Sequence, residues 1–131
     1  MAAQAGPLIS TVGLDRGTAG PSAARRFVEE TLRLWSCEQL IEDARLVVSE
    51  LVTNAATHAS SSARVELRLL SGTLRIGVSD RGGGAPEPQP IDVYRPGGRG
   101  LLLVSAVAVA WGVEGEAHGK TVWAELSVEQ S

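Results

Sequence analysis

Between His58 and Ala63 the apolar residues of this chain change from a helical spacing to strict alternation, and that switch restricts the fold more than any other feature. Upstream, Phe27, Val28, Leu32 and Trp35 in "AARRFVEETLRLW" recur at three- and four-residue intervals, with Ser22 as the expected N-cap. A second helical stretch runs from about Glu38 to His58, with Leu40, Ala44, Val47, Leu51 and Ala55 along one face. Downstream, "ARVELRLL" and "TLRIGVSD" alternate apolar with polar, and Ser71–Gly72 between them reads as a tight hairpin. "PLISTVGLD" supplies an early strand. "LLLVSAVAVAW" predicts a further helix, apolar enough to be largely buried. "VEGEAHGKTVWAELSV" predicts two strands joined through His118–Gly119. This order implies an α+β fold: a two-layer α/β sandwich with helices on one face of a mainly antiparallel mixed sheet.

A length of 131 residues, 44% of them hydrophobic, suits a single domain over 1–131 with a real core and a loose terminus at 1–5. From Gly82 to Gly100 the chain is rich in glycine and carries Pro86, Pro88, Pro90 and Pro96, so regular structure is excluded there. A long loop in a compact domain is functional or disordered. The net charge of −3 gives no electrostatic case for nucleic acid as a direct partner. The single cysteine, Cys37, cannot form an internal disulfide, which fits a reducing compartment. No apolar run reaches the roughly 18 residues of a membrane span. No basic residue precedes Arg16, as a signal peptide would require. The expectation is a cytoplasmic protein that does not engage membranes.

Three clusters carry polar chemistry. In "SELVTNAATHA", Glu50, Asn54 and His58 stand four residues apart, a slowly turning row bordering the Val47–Leu51–Ala55 stripe. A carboxylate and an amide at the edge of a buried face are costly unless they are paired or face a cavity. In "VSDRGGGAP", a strand ends at Asp80 and glycines follow, so a ligand can approach the main chain closely. In "PGGRGLLLV", glycines open the apolar helix, whose unpaired N–H groups suit phosphate. "GKT" at Gly119–Thr121 is not the end of a phosphate-binding P-loop. Glu114 stands where that loop needs glycine, and a strand follows instead of a helix.

In order, these pieces resemble the nucleotide boxes of the GHKL ATPase superfamily, whose fold is the Bergerat-type ATP-binding sandwich. Glu50-x-x-x-Asn54 is similar to its N-box, Asp80-x-Gly82-x-Gly84 to its first glycine box, and Gly98-x-Gly100 to its second. Gly119-x-Thr121 is similar to its last motif. Within the superfamily, "VVSELVTNAATHA" resembles the bacterial anti-sigma-factor serine kinases. The resemblance implies ATP and Mg²⁺ as cofactors, with Asn54 holding the metal and Glu50 as catalytic base. It further implies Asp80 as acceptor for the adenine amino group, Gly82 and Gly84 beside the base, and Thr121 completing the base site through water. Gly98, Gly100 and Leu101 would face the phosphates. Arg99 either reaches them or stays in solvent, and His58 either contacts them or closes its helix. Residues 85–97 would be the ATP lid.

The implied function is an ATP- and Mg²⁺-dependent serine protein kinase acting as an anti-sigma factor. It would bind a sigma factor, phosphorylate a STAS-domain antagonist and so regulate transcription, with a homodimer possible in such kinases. The alternative is a non-catalytic ATP- or ADP-binding module whose nucleotide state switches its protein partners.

Overall fold

The computed structural model describes residues 6–14, 20–58, 63–80, 99–116 and 119–128. The expected loose terminus, the lid at 85–97, and Gly82, Gly84, Gly98 and His118 lie outside the described residues. The elements are β1 (Leu8–Leu14), α1 (Pro21–Leu34), a single 3-10 turn (Glu38–Leu40), α2 (Ile41–His58), β2 (Ala63–Leu70), β3 (Thr73–Asp80), α3 (Arg99–Val107), β4 (Ala110–Glu116) and β5 (Gly119–Ser127). The five strands form one sheet in the order β1-β2-β3-β5-β4. Every neighbouring pair is antiparallel, so the sheet is more uniform than the mixed one expected.

Alternation sorts the strand residues onto two faces. Val65 and Leu67, then Leu74, Ile76 and Val78, then Val122, Ala124 and Leu126, are all buried beneath the helices. Helix α1 adds Val28 and Leu32, and α2 adds Ala44, Val47, Val48, Leu51 and Val52 to the same core. Helix α2 packs on β3, the middle strand, and carries α1 and α3 against it. The other sheet face has no helix over it among the described residues. It holds Arg75, which pairs with Glu114 at 3.1 Å and lies 4.6 Å from the centre of the Trp123 ring.

Turn chemistry accounts for the joints. Ser71 and Gly72 both have positive φ (53° and 80°), the conformation that a two-residue hairpin matched to strand twist demands. Helix α1 closes with Ser36 at φ 58°, while the amides of Ser36 and Cys37 donate to the carbonyls of Arg33 and Leu32. That is a Schellman closure with serine in the position usually held by glycine.

Two local expectations are corrected. Helix α1 is capped by Gly20, whose carbonyl accepts from Ala24, and Pro21 is the first helical residue. Ser22 therefore lies one position inside the helix and makes no side-chain cap. The missing N–H of Pro21 costs nothing at a helix start, which lets proline set the boundary. The run "LLLVSAVAVAW" is not one buried helix: α3 ends at Val107, and Ala110 and Trp111 belong to β4. The N–H of Val109 donates to the Glu125 carbonyl at 2.8 Å, so β5 draws the chain out of the helix. Val104 is fully buried, yet Leu103 and Val109 stay exposed, next to the edge strand β4.

Candidate functional site

The site builds outward from α2. Val47, Val48, Leu51 and Val52 are buried and fix the rotation of this helix on the sheet. That rotation leaves Ser49 and Glu50 half-buried on the flank turned toward α1. There a shallow cleft of about 380 Å³ is lined by Arg25, Glu42, Arg45, Leu46, Ser49 and Glu50. Arg25 crosses from α1 and donates through Nη1 to Ser49 Oγ at 3.0 Å. A cation is thus pinned one residue from Glu50. No spacing rule connects residues 25 and 49, so sequence reading missed Arg25. The only hint was a polar position beside the apolar stripe of the first helix.

Asn54 follows Glu50 by one turn of α2, and His58 is the last residue of that helix. Their backbone places both farther along the same helix; their side chains lie outside the description, as do those of Asp80, Arg99, Gly100 and Leu101. Asp80 is the final residue of β3, in register opposite Ala63 on β2 and Lys120 on β5. It follows Leu74, Ile76 and Val78 in the row that the helices cover. The structure therefore sets Glu50, Asn54 and Asp80 on two elements packed directly together. Arg99, Gly100 and Leu101 open α3, which packs on α2, so the unpaired amides of a helix start belong to the same layer.

Thr121 is not brought to this group. It stands opposite Ser79, in the row turned away from the helices, and its Oγ1 lies 2.8 Å from Ser79 Oγ. The residue before it, Lys120, occupies the helix-side row. On that open face lies a second concavity of about 520 Å³, over Gly77 and between Arg64, Arg75, Ser79 and Thr121. Glu114 and Glu125 accompany Arg75 there, as Glu66 accompanies Arg68, which describes a solvated sheet face.

Residues 19–126 match the histidine kinase-like ATPase domain. The chain belongs to that family. Its curated relatives include the serine-protein kinase RsbW of Staphylococcus aureus strains Newman and NCTC 8325, each 32% identical over 51% of this chain and 54% of the relative. The match thus spans about half the length of those kinases. Among solved structures, the histidine kinase domain of the blue-light activated histidine kinase from Erythrobacter litoralis EL346 superposes with a TM-score of 0.53. That superposition covers 88% of this chain and 64% of the other at 22% identity, and it establishes the histidine-kinase-like fold. No helix among the described residues is long and apolar enough to cross a membrane.

Proposed function

We propose that this histidine-kinase-like domain is an ATP- and Mg²⁺-dependent serine protein kinase that acts as an anti-sigma factor and phosphorylates a STAS-domain antagonist. The observation that carries the reading is Glu50: a half-buried carboxylate on the rim of an open cleft, flanked by fully buried Val48 and Leu51. A general base for a protein substrate must be held rigidly yet remain reachable from outside. The kinship with serine-protein kinases supports the same role.

In this mechanism Glu50 accepts the proton of the partner's serine hydroxyl. The serine oxygen bonds to the γ-phosphorus, the bond to the bridging β-phosphate oxygen breaks, and phosphoserine and ADP result. Asp80 accepts from the adenine amino group, and Gly82 and Gly84 admit the base. The amides around Gly98, Gly100 and Leu101 receive the phosphates. Among the described residues no cluster of three or more His, Cys, Asp or Glu is placed to hold a metal. A triphosphate-bound Mg²⁺ needs no such cage: it takes one or two protein oxygens beside phosphate and water, and the Asn54 amide is of that kind. When bound, it would neutralise charge on the transferring group.

The test is incubation with γ-labelled ATP and the cognate STAS protein. Phosphoserine formed by wild type and lost in Glu50→Ala supports the kinase. Tight nucleotide binding with no phosphoserine from either protein would leave the partner-switching module instead.

A further inference from the structure

We infer that Lys120, and not Thr121, is the residue that β5 contributes beside Asp80, where its ammonium donates a hydrogen bond to a ring nitrogen of the bound purine. This inference rests on the nucleotide reading above. Its origin is the register of β3 and β5, in which Val78 faces Val122, Ser79 faces Thr121, and Asp80 faces Lys120. Leu126, Ala124 and Val122 are buried beneath the helices, and Lys120 is the next residue of that row. Thr121 belongs to the opposite row and is held by Ser79. Turning Thr121 to the helix side requires a one-residue slip, which would expel Val122 and Ala124 from the core.

Lys120 also has room. It is half-buried, and its neighbour on β4 is Gly115, where an added Cβ would meet nothing within 4 Å among the described residues. Facing residues of an antiparallel pair hold their Cβ atoms about 5 Å apart, so a lysine stem is long enough to reach a ligand beside the position of Asp80. The chemistry differs from that of a hydroxyl. A threonine donates or accepts, whereas an ammonium only donates. Asp80 as acceptor and Lys120 as donor complement the adenine edge, whose amino group donates and whose N1 accepts.

The experiment measures affinity for ATP and for 1-deaza-ATP, in which a C–H replaces N1, by calorimetric titration of the full chain. Wild type is expected to bind the deaza analogue about tenfold or more weakly, the scale of a hydrogen bond to a charged group. In Lys120→Met the difference shrinks to about twofold or less. Thr121→Val keeps the wild-type difference. Complete loss of binding in folded Lys120→Met, restored by Lys120→Arg, also supports a donor here; loss without restoration overturns it. The inference fails, with the nucleotide site intact, if wild type binds both ligands equally or if Lys120→Met keeps the difference. Absence of ATP binding by wild type defeats the nucleotide reading itself, and the inference with it.

Discussion

Glu50 and Arg25 come from different helices, and only the first could be singled out from its neighbours in sequence. Glu50 stood out because Asn54 and His58 repeat its spacing on one helix, a local property. Arg25 acquires meaning through its 3.0 Å bond to Ser49, which depends on how two helices pack. Replacing Glu50 by Gln should lower phosphoserine formation by roughly 10² to 10⁴ while leaving nucleotide affinity within about twofold, checked by single-turnover assay and titration. Cys37 offers an independent check on the packing. Burial above all, and then the charge of Glu38, pushes its thiol above the ordinary range. The folded state therefore keeps its proton longer than the unfolded chain. The associated stability is full below the unfolded thiol pKa of about 8.5 and is lost as pH rises through the folded value. Iodoacetamide at pH 8 should label Cys37 far more slowly in native protein than in urea, as followed by mass spectrometry.

At the scale of elements, capping and edge position explain where sequence reading succeeded and where it slipped. The hairpin at Ser71–Gly72 was legible because its two residues suit positive φ, and local sterics decide the turn. The end of α3 was not legible: "LLLVSAVAVAW" is apolar apart from Ser105, and the Val109–Glu125 hydrogen bond and the β4–β5 pairing that follows it divide helix from strand. Ser36 carries the left-handed conformation that closes α1, at a cost that glycine avoids. Ser36→Gly should therefore raise unfolding stability by about 0.5–1 kcal/mol in urea titration, the conformational gain exceeding the added freedom of the unfolded chain. Gly112 has the opposite sensitivity. A Cβ there would lie 2.9 Å from Trp123 Cζ2, so Gly112→Ala should cost about 1–3 kcal/mol in the same measurement.

For the whole molecule, the decisive property is that, among the described residues, the sheet has one face covered by helices and one open face. Among the described residues, the candidate positions on α2, at the end of β3 and at the start of α3 belong to the covered side, and Thr121 to the open one. The open side carries the Arg75–Glu114–Trp123 group, whose exposed charges contribute modestly. A ligand bound between the layers stabilises both at once. Mg²⁺–ATP at about 100 times its Kd should add about 2.7 kcal/mol to unfolding stability. The resulting rise in Tm, read by scanning fluorimetry, should be strongly reduced in Asp80→Asn.

What the sequence determined by itself was everything set by neighbours along the chain: the two periodicities, the hairpin turn, the order of elements and the Glu50–Asn54 row. Periodicity and turn sterics act over a few residues, so they can be read without a fold. Tertiary structure alone decided which strand row faces the helices, and therefore that Lys120 and not Thr121 stands beside Asp80. It also decided that Arg25 reaches Ser49. Both depend on register and helix packing, which are settled by the burial of Val122, Ala124 and Leu51 far from the polar residues concerned.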